Sequence, residues 1–193
     1  MTDITTDGAR GRRVPGSPES SVRRPEDHAE GRDQLVACAE LLYFAYRDFT
    51  RDPDQVLSEF GFGRAHHRVL HFVNRQPGMR VAQLLEILKI TKQSLARVLK
   101  QLVSQGFIAQ RTGPDDRRER LLFISTKGAR LTERLTALQL QRIQGALEKA
   151  GPGADMAARK FLFAMIAETD QPQVEALLGT GEPETTTVKG ERR

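Results

Sequence analysis

Tryptophan is absent from this chain, cysteine occurs once and tyrosine only twice. A lone cysteine, Cys38, excludes an intramolecular disulfide, and a chain without a disulfide framework suits a reducing compartment, so a cytoplasmic location is expected. No segment approaches the ~18 consecutive apolar residues of a transmembrane helix, and the first residues lack the apolar stretch of a secretory signal, so no membrane partner is expected. Also missing are a glycine-rich phosphate loop and the G-x-S-x-G and H-E-x-x-H patterns that carry hydrolytic chemistry. An enzyme is therefore not expected, nor a cofactor or resident metal. No internal repeat is visible.

What is present is positive charge in one place. The 193 residues carry a net +5. Residues 1–31 hold 5 Lys+Arg against 6 Asp+Glu, whereas residues 89–134 hold 11 against 4, a local net of +7. Charge that serves solubility is spread over a surface; charge that meets phosphate is clustered.

The ends, residues 1–31 and 179–193, are polar and rich in Gly, Pro, Ser and Thr. They carry too little apolar surface to offset the entropy of ordering, and disordered tails are expected there. Between them, residues 32–178 read as one domain with helical periodicity interrupted by a single hairpin. Leu35, Ala39, Leu42, Tyr46 and Phe49 recur at spacings of three and four, predicting a helix over residues 32–51 that Asp52-Pro53 should stop, with a short separate piece over 55–60. Further helices are predicted over 64–74 and 81–88, with a short strand at 79–81 between them. Strands follow at 107–112 and 120–125, then helices over 126–149 and 154–168 and a last turn at 174–178. The fold class is mainly α with a small β-wing: a winged helix-turn-helix over about 64–125, flanked by dimerisation helices over about 32–51 and 126–178.

The helix that begins after Thr91 carries the sharpest pattern. The Thr91 hydroxyl is an N-cap. Leu95, Val98, Leu99, Leu102 and Val103 form an inner face, while Gln93, Arg97, Lys100 and Ser104 fall within roughly 60° of one another on the outer face. Arginine can fork onto guanine and glutamine onto adenine in a major groove. Lys92 and Ser94, in the first turn, suit phosphates. The hairpin that follows turns through Gly113-Pro114-Asp115 and presents Arg117 and Arg118 at its tip, where paired arginines can enter a narrow minor groove. Asp115 and Asp116 are expected to hold those arginine forks by carboxylate pairing.

The stretch TKQSLARVLKQLVSQGFIAQRTGPDDRRERLLFISTKG resembles the MarR (multiple-antibiotic-resistance regulator) family. The likeness lies in a recognition helix, a strand, a D-x-R-R-like wing (Asp115-Asp116-Arg117-Arg118) and a second strand that runs into Ser125-Thr126-Lys127-Gly128. It implies a transcriptional regulator acting as a homodimer on duplex DNA, reading a near-palindromic operator, most often as a repressor released by a small-molecule effector. Tyr43, Arg47, Phe62, His66 and His67 are the candidate lining of an effector pocket. Two rival signals are oxidation at Cys38 and metal binding by His67 and His71, four apart on one helix. A winged helix used for protein contact without DNA is the remaining alternative.

Overall fold

The computed structural model describes residues 25–114, 116 and 118–179, with side chains from residue 31 onward. Most of the two expected tails, together with Asp115 and Arg117, lies outside the described residues. The elements run α1 (Pro25–Ser58), α2 (Arg64–Arg75), β1 (Met79–Arg80), α3 (Val81–Leu88), α4 (Lys92–Ser104), β2 (Ile108–Thr112), β3 (Arg120–Ile124), α5 (Thr126–Ala150), α6 (Ala154–Ala164) and α7 (Gln171–Leu178). The chain divides into two compact units, residues 1–46 and 47–193. No helix among the described residues is long and apolar enough to cross a membrane.

In the first unit, the described part is the leading portion of α1. Helix begins at Pro25, seven residues before the expected start. Proline at a first helical position lacks only an N–H that would be unpaired anyway. From Leu35 to Tyr46 the large apolar side chains are exposed, with Leu35 at 74% and Tyr43 at 72%.

The second unit holds the core. α1 does not stop at Asp52-Pro53, as its sequence suggests, but continues to Ser58 with Pro53 inside it. An interior proline costs a helix about 3 kcal/mol. Here Pro53 is fully buried, and continuing the helix places Val56 and Leu57 in the core, which outweighs that cost. The core gathers one stripe from each of α2, α3 and α4 (Val69, Leu70 and Val73; Leu84 and Leu88; Leu95, Val98, Leu99 and Leu102). Phe107, Leu122, Leu131 and Leu135 close it.

The sheet has the order β1-β3-β2, antiparallel throughout, with Met79 opposite Leu122 and Gln110 opposite the same residue from the other side. Gly106, at φ 76°, turns the chain from α4 into β2. α5 starts at an N-cap, Ser125, whose hydroxyl accepts the Gly128 N–H at 3.0 Å and donates to the Gly106 carbonyl at 2.7 Å. Gly128 has to be glycine, because a Cβ there would stand 2.2 Å from the Phe107 carbonyl oxygen. These contacts fix the hairpin against the end of α4. α6 ends at Ala164, four residues before the expected end, and α7 begins at Gln171, three residues before the expected turn.

Candidate nucleic-acid interface

α4 is capped as its sequence requires: the Thr91 Oγ1 accepts the Ser94 N–H at 3.1 Å and donates to the Ser94 hydroxyl at 2.9 Å. Its inner face is sealed, with Leu95 and Leu102 at 1% and 0% exposure. Lys92, Gln93, Ser94, Arg97, Lys100 and Ser104 are all exposed. Lys92, Lys100 and Ser104 line a cleft of about 1210 Å³ between α3, α4 and the wing, and Gln93 and Arg97 are exposed on the same helix without lining it. The Ser104 hydroxyl donates back to the Gln101 carbonyl at 3.1 Å.

The far wall of the cleft belongs to the wing. Arg118 lines it and Arg117 lies outside the described residues. The Asp116 carboxylate accepts the Arg118 backbone N–H at 2.8 Å, while Asp115 and Arg117, the other members of the expected carboxylate–arginine pairing, lie outside the described residues. An aspartate bonded to the backbone two residues on is an Asx-type contact, so Asp116 shapes the turn. The Asp116 carbonyl accepts the Glu119 N–H, and the Glu119 carbonyl accepts the Gly113 N–H, which closes the tip. A Cβ on Gly113 would meet the Asp116 carbonyl oxygen at 2.9 Å, so the tip also requires glycine.

Two cations that local sequence reading did not single out also face this cleft. Arg80 donates to the Glu119 carboxylate at 3.0 Å and Arg120 to the Thr112 hydroxyl at 3.0 Å. The Arg80–Glu119 pair ties the start of α3 to the wing across 39 positions of sequence. Strand alternation puts Arg120 on the same face as buried Leu122, so the pattern of β3 gives no signal for an exposed cation at its first position. In all, Arg80, Lys92, Lys100, Arg118 and Arg120 line the cleft against Glu86, Asp116 and Glu119, leaving it cationic. Arg111, on the neighbouring strand, lies 4.7 Å over the Phe123 ring and is held in place by it. Such a surface offers hydrogen-bond donors and positive charge along a ridge and a trough, which is what paired strands of phosphate with base edges between them demand.

The residues expected to line an effector pocket are placed as follows. Tyr43 is exposed on the leading part of α1. Arg47 donates to Asp48 at 3.0 Å, and that contact raises the guanidinium pKa above its ordinary value. Phe62 and His66 are buried and stacked, their ring centroids 4.6 Å apart. Both ring nitrogens of His66 are engaged: Nδ1 accepts the Gly63 N–H at 3.1 Å and Nε2 meets the Gln101 Oε1 at 2.6 Å. The first contact caps α2 and the second ties α2 to α4. His67 is half-buried; burial and the charge of His71 lower its pKa, with Asp54 opposing. His71 is lowered likewise, by burial and by Arg75. None of the five lines the large cleft. Cys38 is exposed, and among the described residues no group of three or more His, Cys, Asp or Glu side chains is placed to hold a metal ion.

Comparison with known proteins places this arrangement. The profile of the MarR family matches residues 60–119, from just after α1 to the tip of the wing. The HTH-type transcriptional regulator PetP of Rhodobacter capsulatus is 46% identical over 134 residues, which is 69% of this chain and 81% of that protein. The multiple antibiotic resistance protein MarR of Escherichia coli is 22% identical over 134 residues, covering 69% of this chain and 93% of its own length. Among solved structures, a MarR family transcription regulator superposes with a TM-score of 0.62 at 19% identity, over 79% of this chain and 97% of its own. A cysteine-to-serine mutant of Escherichia coli MarR complexed with operator DNA superposes at 0.53 with 23% identity, over 68% and 94%. At those identities the structural likeness establishes the winged helix-turn-helix fold and nothing finer.

Proposed function

We propose, from the premise that this chain belongs to the MarR family of transcriptional regulators, that it binds duplex DNA as a homodimer at a near-palindromic operator and acts as a ligand-responsive repressor. The observation that carries this reading is the exposed row of Gln93, Arg97 and Lys100 on α4 beside a cationic trough that runs to the wing. α4 enters the major groove, with Gln93, Arg97 and Lys100 over base edges and Thr91, Lys92, Ser94 and Ser104 near phosphates. The wing reaches the adjacent minor groove through Arg118, with Arg117 beside it in sequence. The exposed apolar faces of the leading part of α1, the trailing part of α5 and α6 support a second copy as the partner that covers them. Two copies repeat the trough, and a two-fold protein reads a two-fold site. An effector releases the operator only by binding one dimer geometry more tightly than the other.

The test is selection of bound sequences from a random duplex pool, followed by titration at two salt concentrations. A near-palindrome with affinity that falls steeply with salt is expected, because phosphate contacts release counterions. Indifference to duplex DNA even in dilute salt would point to a protein-docking winged helix instead. On the selected site, Arg97→Ala should cost about 1–3 kcal/mol of discrimination at one base pair in each half-site. A uniform loss over all sequences would move Arg97 from base reading to phosphate contact. Arg118→Ala should weaken sites with A·T-rich flanks more than sites with G·C-rich flanks.

A further inference from the structure

The wing outruns the sheet that supports it. β1 ends at Arg80, whose Cα partner in β3 is Leu121, so the third strand stops there while the hairpin continues through Arg120 and Glu119 toward its tip. A two-stranded hairpin end is marginal by itself. Two charged residues meet where the third strand stops: the Arg80 Nη1 donates to the Glu119 Oε1 at 3.0 Å. Arg80 is fixed from behind. It is the N-cap of α3, and its backbone N–H donates to the Gln83 Oε1 at 2.9 Å. Glu119 is fixed within the hairpin. Its N–H donates to the Asp116 carbonyl at 3.0 Å, and its carbonyl accepts the Gly113 N–H at 3.1 Å. Its carboxylate lies over the wing backbone, since a Cβ on Gly113 would stand 3.2 Å from the Glu119 Oε2. The two side chains are 53% and 35% exposed. A pair so open to water adds little to folding stability, so its consequence is geometric: it selects one angle of the wing.

We propose that the Arg80–Glu119 pair is a brace that sets the angle between the wing and α4, and that Glu119 determines operator specificity by positioning its neighbour Arg118 rather than by touching DNA. The start of α3 is a firm anchor, because α3 and α4 share the core through Leu84, Leu88, Leu95 and Leu99. Arg118 stands between two clamps: the Asp116 carboxylate holds its backbone N–H at 2.8 Å, and the next residue along is Glu119. An angle fixed at Glu119 therefore passes to Arg118 through one peptide bond. A carboxylate in a cationic cleft also weakens phosphate binding by charge alone. The two roles differ in sign. Neutralising Arg80 and neutralising Glu119 change the charge of the cleft in opposite directions, whereas either one removes the brace. The effect on specificity rests on the DNA-binding reading above; the brace itself is testable without DNA.

The test compares the full chain with its Arg80→Gln and Glu119→Gln variants and with the exchanged pair, Arg80→Glu together with Glu119→Arg. Without DNA, amide hydrogen exchange at Gly113 and Glu119 should quicken about two- to fivefold in each single variant, the scale of an exposed ion pair, and return toward the parent rate in the exchanged pair. Unchanged exchange in both single variants, or no recovery in the exchanged pair, overturns the brace. With the selected operator set in A·T-rich and in G·C-rich flanks, overall affinity should fall for Arg80→Gln and rise for Glu119→Gln, as the charge of the cleft requires. The affinity ratio between the two flanks should instead shrink in both, by about two- to fivefold. Discrimination at the base pairs read by α4 should shrink less. Flank ratios that move in opposite directions would reduce both residues to cleft charge and overturn the positioning role. So would a parent with no flank preference, or core and flank discrimination lost in equal measure, which marks a general loosening of the lobe. A parent that binds no duplex, with exchange behaving as expected, would overturn the DNA-binding reading and leave the brace standing.

Discussion

The two halves of α5 carry the same apolar rhythm and meet different surroundings. In the leading half, Leu131 and Leu135 are 5% and 0% exposed and close the core beneath α2. In the trailing half, Leu140 and Ile143 are 59% and 44% exposed. α6 continues the second pattern: it buries no residue, and Met156, Phe161, Leu162 and Met165 are all open. Spacing of three and four defines an apolar face of a helix but does not name what covers it. Among the described residues the leading half is covered by the core while the large apolar side chains of the trailing half stay open, so one sequence signal meets two environments: the first holds the reading lobe together, and the second fits the second copy proposed above.

The sharpest way to break that contrast is to truncate one leucine from each half. Leu135→Ala removes a fully buried side chain and should cost about 2–5 kcal/mol in urea unfolding. Leu140→Ala should leave the lobe's intrinsic stability within about 0.5 kcal/mol and act only through assembly, so that its effect depends on protein concentration. Equal, concentration-independent losses from both would show that the trailing half is as much core as the leading one. A smaller effect tests the partner directly. Leu140→Glu combined with Phe161→Glu should shift the sedimenting mass from two chains to one at micromolar concentration while the helical circular dichroism is largely kept. An unchanged dimer would place the seam elsewhere.

The contrast also explains what could be read from sequence. The bounds of α3, the start of α4 at its Thr91 cap and the two wing strands follow from local signals: apolar spacing, a hydroxyl before a helix, glycine and proline at turns. The structure agrees because each signal acts within a few residues. Pro53 misled for the complementary reason. Its local cost is real, but burial of Pro53, Val56 and Leu57 is a tertiary gain no short window contains. Arg80 and Glu119 meet only after the sheet forms, and neither is remarkable in its own segment. His66 stands at the third position of α2, where a glutamate or glutamine would announce a capping box; a histidine doing the same through Nδ1 gives no such signal. The left-handed Lys89 lacks the glycine that usually marks that conformation, and the structure supplies an ion pair to Asp170 at the same place.

Acid separates the two regions without any substitution. The chain has four histidines. His66, His67 and His71 belong to α2, in the reading lobe, and residues 139–164, which carry the open apolar face, hold none. His67 and His71 have folded pKa values below the ordinary histidine value, by burial first and then by like charge. The unfolded chain therefore binds more protons than the folded one once the pH falls below about 6.5, and stability declines from there through the lower folded values. Above that range the contribution of the neutral rings is fully present. Asp48 and Asp52 do not confuse the window, since hydrogen bonds from Arg47 and Arg142 hold their carboxyls below the usual carboxylate range and they titrate in stronger acid. Urea midpoints at pH 7.5 and pH 5.5 should thus fall toward acid, and a His67→Gln, His71→Gln double variant should flatten that fall. An equal fall in the double variant would assign the acid sensitivity to groups outside α2, and with it the idea that the lobe alone carries the proton linkage would be lost.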